Sequence, residues 1–156
     1  MKYLHYKDQE GLNALVSQTF GGWSNTVLVS QGLIDQYADL SGDSLWLHVD
    51  EARSEKESPF GGTVAHGFLI LSLLTKMGGG LRDLERVTGF DHMMNYGSDK
   101  LRFLGVVPVH SEIYSRSRIK AVEISDKRTK VVAETHVHLV GAGTPVLIYE
   151  LMFVYL

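Results

Sequence analysis

Asp43 and His48 stand five residues apart in the run Leu40-Ser41-Gly42-Asp43-Ser44-Leu45-Trp46-Leu47-His48-Val49-Asp50. A carboxylate and an imidazole at that spacing, in a loop that folds back past a helix end, can hold one water between them. One group accepts its proton while the other donates. Spacing alone favours a plainer reading, with Asp43 a Gly-Asp turn residue and His48 a satisfied loop histidine. A second run, Pro59-Phe60-Gly61-Gly62-Thr63-Val64-Ala65-His66-Gly67-Phe68, feeds a Gly-rich loop into a helix start. First-turn N–H groups have no helical partner there, so those around Gly67 can receive an anion or developing oxyanion. Close approach of another backbone would explain the glycine equally well. A third run, Asn95-Tyr96-Gly97-Ser98-Asp99-Lys100-Leu101-Arg102-Phe103, reads by itself as a strand with a glycine kink.

The elements that must position these groups follow from periodicity. Residues 8–19 carry Leu12, Leu15 and Val16 at helical spacing, ended by Gly21-Gly22. Trp23 to Ser30 reads as a short strand. Gln31 to Leu40 reads as a helix stopped at Ser41-Gly42-Asp43, with Gly42 as a left-handed cap. Asp50-Glu51-Ala52-Arg53 has the form of a capped helix start. Thr63 to Met77 is apolar nearly all round, which predicts one long helix enclosed by other protein and ended by Gly78-Gly79-Gly80. Strands are predicted at 93–103, 112–125, 129–140 and 146–155, the last a central strand. Such strands pair as antiparallel hairpins, so the simplest architecture is α+β, one buried helix wrapped by a curved antiparallel sheet.

Composition narrows the function classes. One domain is expected over the 156 residues, with 44% apolar side chains and no internal repeat. The absence of cysteine excludes disulfides, zinc-thiolate sites and a cysteine nucleophile. With 15 Lys+Arg against 18 Asp+Glu, nothing favours nucleic acid or an anionic membrane. No signal peptide or spanning segment is visible, and a cytoplasmic protein is the expectation. His136 and His138 alternate on one strand and face the same side, but no third ligand is spaced to complete a metal site, so both read as exposed strand histidines. Gly78-Gly79-Gly80 follows a helix rather than preceding one, unlike a phosphate-binding loop.

Taken in order, the three runs resemble the MaoC-like dehydratases, also called (R)-specific enoyl-CoA hydratases or hydratase 2, in the branch of the nodulation-protein-N-like proteins. The likeness covers roughly residues 10–156. Leu45-Trp46 stands where many hydratases have Asn-Pro, and Leu104 stands where a proline often follows the Phe; the first bears on substrate identity, the second on strand geometry. The resemblance implies a hot-dog fold, a homodimer, and an acyl-CoA or acyl-carrier-protein thioester as substrate, with no metal or redox cofactor. It makes Asp43 and His48 the catalytic pair and the Gly67 N–H the oxyanion donor. Phe68, Ser72 and Thr75 become candidates for substrate contact, Thr75 where relatives often place a small hydroxyl residue beside the acyl chain. His66 fits the pattern as a helix-start residue with a structural role, and Arg82 to Arg86 as a variable flap near the substrate tunnel. The rivals are an acyl-CoA thioesterase on the same fold and a non-catalytic acyl-thioester-binding module. Many such thioesterases carry an acid on the central helix, and Thr63 to Met77 has none.

Overall fold

Residues Val131, Ala133, Thr135 and Val137 share one side of a strand and are all buried, as a side-chain period of two requires. That strand lies mid-sheet in the computed structural model, which describes residues 3–78 and 82–156. In chain order the elements are β1 (Leu4–His5), α1 (Gln9–Asn13), β2 (Val27–Val29), α2 (Gln31–Ser41), α3 (Trp46–Val49), α4 (Glu51–Glu57), α5 (Gly67–Ser72) and α6 (Leu74–Met77). A 3-10 helix (Arg82–Arg86) follows, then β3 (Val87–Thr88), β4 (Met93–Phe103), β5 (Ser111–Ile124), β6 (Thr129–Leu139) and β7 (Leu147–Tyr155). Five strands form one antiparallel sheet in the order β2-β5-β6-β7-β4, and β1 and β3 form a small parallel pair. The four long predicted strands are therefore present, with the C-terminal one inside the sheet.

The sheet curves around α5 and α6. Leu69, Ile70, Leu73 and Met77 meet Val29, Ile34, Ile113, Val137 and Leu147 in the main core. Burying side chains of this kind stabilises by about 1.5–3 kcal/mol each. Register shifts within β4 and β5 supply local bends. Among the described residues no helix is long and apolar enough to cross a membrane.

The single long helix expected over Thr63–Met77 is instead two short ones, and two physical causes account for this. First, Thr63 to Ala65 is drawn into extended pairing: Ala65 N–H donates to Val107 O at 2.9 Å and Val109 N–H to Thr63 O at 3.0 Å, so these residues cannot join a helix. Second, Leu73 ends α5 with ψ −7°, and α6 starts from it. The helix is also not enclosed by this chain. Phe68 is 58% exposed, and Ser72 and Thr75 face outward with it. Gly78 ends α6 in the left-handed region at φ +68°; Gly79 and Gly80, expected to help stop it, lie outside the described residues.

Two smaller expectations also change. The helix expected over residues 8–19 closes after five residues. The chain then runs along the edge of β5 beyond β2: Ser17, Gly21 and Ser24 N–H donate to the carbonyls of Ile119, Ser117 and Ser115. His138 is not an exposed strand histidine. The edge of Trp23 meets its ring at 5.0 Å, and it is 1% exposed.

Candidate active site

Three short-range devices bring the first two sequence runs together. Ser30 caps α2 at its start, its hydroxyl accepting from Leu33 N–H, and Gly42 closes the helix in the left-handed region at φ +78°. A side chain there would be strained, so the glycine sets the direction in which Asp43 leaves α2. A short helix unforeseen from the sequence, α3, then carries His48 back towards the extended strand of Thr63–Ala65. Val64 N–H donates to Leu47 O at 3.1 Å and pins that return.

Asp43, His48 and His66 converge, with one donor or acceptor atom from each lying within 4.8 Å of the others. His48 Nδ1 is 2.6 Å from the Val64 carbonyl oxygen. A carbonyl only accepts, so Nδ1 carries the hydrogen and the neutral ring presents a lone pair at Nε2. The backbone of His48 is held from a second direction by Gln31, whose Nε2 donates to the His48 carbonyl and whose Oε1 accepts from Thr63 Oγ1 at 2.6 Å. His66 Nε2 lies 2.8 Å from the Asp43 carbonyl oxygen and 4.0 Å from its carboxylate. The His48 and His66 rings stack at 3.8 Å with planes 27° apart. Asp43 is more than half exposed and His48 half-buried, so water reaches both. A base with a free lone pair beside an accessible carboxylate can take a proton from one water and return one to a nearby atom.

The same three groups could be imagined as metal ligands. His66 Nε2, however, carries the hydrogen that bonds the Asp43 carbonyl, so that nitrogen is not a metal donor in this arrangement, while Nδ1 keeps its lone pair.

Gly67 is the first residue of α5, directly after His66, so its N–H has no partner within the helix. It lines an apolar pocket of about 310 Å³ with Phe68, Ala65, Phe103 and Val107. Thr75 lies in a different pocket of about 560 Å³, with Leu84 of the predicted flap, Phe90, Met93 and Phe153. Ser72 lines neither of these pockets, and its hydroxyl donates back to the Phe68 carbonyl at 2.8 Å. The structure thus brings Asp43 and His48 together, sets Gly67 one residue from His66, and leaves Thr75 and Ser72 apart from that cluster. Sequence reasoning missed Gln31 and Thr63. Besides its local bond to Asp35, Gln31 reaches the site through partners 17 and 32 residues away, which no local pattern marks.

The comparisons with known proteins agree with this fold. Residues 22–142 match the family described as "MaoC like domain". A 3-hydroxyacyl-thioester dehydratase Z from Mycobacterium tuberculosis (strain CDC 1551 / Oshkosh) is 34% identical over 130 residues, 83% of each chain. Nodulation protein N from Rhizobium meliloti (strain 1021) is 36% identical over 115 residues, 72% of this chain and 68% of that one. The solved structure of an (R)-hydratase from A. caviae involved in PHA biosynthesis superposes with a TM-score of 0.66 at 21% identity, covering 88% of this chain and 96% of that one. The chain belongs to the MaoC-like domain family and has its α+β hot-dog fold.

Proposed function

We propose that this protein catalyses the reversible hydration of a trans-2-enoyl thioester to an (R)-3-hydroxyacyl thioester, a hydro-lyase reaction on coenzyme A or acyl carrier protein. The observation that carries it is the convergence of Asp43 and His48 on one water-accessible point. The Asp43 carboxylate and His48 Nε2 hold one water. Its oxygen bonds to C3 while His48 Nε2 takes the proton it loses, the Asp43 carboxylate orienting the water, and the imidazolium then returns that proton to C2. The double bond is consumed and atoms balance as addition of H2O. Negative charge gathers meanwhile on the thioester oxygen, which the Gly67 N–H receives at the start of α5. The apolar pocket beside Gly67, lined by Phe68 and Phe103, suits the hydrocarbon next to the thioester. The name of the M. tuberculosis relative supports this reaction class.

The partner surface is a second copy of the chain. One sheet edge ends in the three-residue β2, whereas the other ends in the eleven-residue β4, which pairs with β7 on one side only and exposes Met93, Met94, Tyr96 and Phe103. An uncovered strand edge with apolar side chains is a template for pairing. Phe68, exposed on a helix otherwise apolar, adds to the surface to be covered.

The test is loss of enoyl absorbance when trans-2-enoyl-CoA of graded chain length is mixed with the protein. Hydration removes the absorbance without freeing thiol. Release of thiol would establish a thioesterase instead, and binding with neither change a carrier module.

A further inference from the structure

His66 is 4% exposed, yet its polar atoms are not spent on the core. Its Nε2–H donates to the backbone carbonyl of Asp43 at 2.8 Å, and its ring face lies against His48 at 3.8 Å. One side chain therefore touches both members of the proposed water-activating pair. The ring of Tyr37 stands 5.0 Å away and limits the room His66 has to move.

The tie adds to a turn held locally, where Gly42 caps α2 and the Asp43 N–H donates to Ser41 Oγ at 3.3 Å. The Asp43 carboxylate is 56% exposed, and its closest backbone donor, Leu45 N–H, is at 3.5 Å. The direction of the carboxylate thus depends on the turn of its own backbone, and His66 holds that turn by the carbonyl. The price of keeping an imidazole here is visible: His66 Nδ1 is buried with no hydrogen-bond partner. An orphaned buried nitrogen destabilises, so an apolar side chain would suit a purely structural position better.

We infer that His66 is a positioning residue for hydration, clamping the Asp43 turn through Nε2–H and supporting the His48 ring by stacking; this rests on the reading of Asp43 and His48 given above. The two imidazoles are held in opposite tautomers, His48 with its hydrogen on Nδ1 and His66 with its hydrogen on Nε2.

Two measurements test this. Nitrogen NMR of the unmodified protein labelled in its histidine rings reports the tautomers directly. The inference requires the Nε2–H form for His66 and the Nδ1–H form for His48, and the reverse form at His66 overturns it. The second measurement is kinetic. His66→Ala should lower kcat by about 10²-fold with KM little changed, as misplacement of a catalytic group does. His66→Gln, whose side-chain amide can reach the Asp43 carbonyl, should recover at least about tenfold of that loss, and His66→Phe, which keeps the ring face alone, should fall between them. Melting curves confirm that each variant is folded; should Ala not fold, the Gln and Phe variants and the NMR carry the decision. A folded Gln variant no faster than Ala or Phe, or a folded Ala variant within about threefold of wild type, overturns the role. Asp43→Asn and His48→Ala run in parallel separate the two failures. If these are fast, the hydration mechanism itself falls; if they are slow while the His66 variants are fast, only the positioning role does.

Discussion

A side-chain carbon added at Gly67 would lie 2.8 Å from two ring carbons of Phe103. The glycine at the start of α5 therefore has a packing reason, close approach of a β4 side chain, as well as the catalytic reason proposed for its N–H. Phe103 is 45% exposed, so its ring has somewhere to go. The two reasons can be separated by experiment.

Gly67→Ala alone should lose some thermal stability or pocket shape through displacement of Phe103. The informative background is Phe103→Ala, which clears that contact. There, Gly67→Ala keeps the N–H and Gly67→Pro deletes it, at a first-turn position where proline is best tolerated. Loss of one oxyanion donor costs roughly 10²–10³ in kcat, about 2.7–4 kcal/mol. At saturating enoyl thioester the Pro variant should be slower than Ala by about that factor. Equal rates in two folded variants would leave packing as the whole explanation.

Asp43→Asn and His48→Ala should each lower kcat by at least about 10²-fold, because each removes one partner in moving the proton. The double variant should be little slower than either single, since the pair acts on one water. Steady-state rates on enoyl-CoA decide this; near wild-type turnover in either single variant contradicts the mechanism.

Light scattering at micromolar concentration should give twice the monomer mass. Met94 is 54% exposed on β4 and sits on the surface proposed to pair. Met94→Lys should shift the mass towards monomer, because a charge on an edge strand opposes pairing. A wild-type monomer, or a dimer indifferent to Met94→Lys, would place the contact elsewhere.

Acid should destabilise the fold through the outer face of the sheet. Burial pushes the His138 imidazole below its usual 6.5, opposed by its bond to the Ala142 carbonyl and helped by the nearby Arg116 and His136 charges. Burial alone would raise Glu134, but its bonds to Arg118 and His136 outweigh that and hold it below 4.5. In both cases the unfolded chain binds more protons than the folded one, so stability falls as pH drops. The loss begins below about 6.5 through His138 and continues below about 4.5 through Glu134. Denaturant midpoints from pH 7.5 to 5 should show the first part, and His138→Phe should flatten it. A midpoint that holds or rises on acidification would reverse the sign assigned to His138.

Periodicity and spacing by themselves determined much of this protein. The four long strands and the α2 helix with its Gly42 cap are legible because each rests on residues a few positions apart, whereas the Asp43–His48 pair stands out only through the resemblance of the three runs, its spacing alone reading as a turn. Tertiary structure decided the rest. Thr63 to Ala65 carries a helical pattern but lies extended, because Val107 and Val109 offer backbone partners that no local rule reveals. His138 alternates like an exposed residue but is buried, because the segment carrying Trp23 folds over it. Gln31, Thr63 and His66 reach the site by bonds spanning 17 to 32 residues. Local sequence dictates backbone preference and which face is apolar; only the folded chain decides which distant carbonyl a side chain meets, and here those meetings hold His48 and the Asp43 turn beside each other.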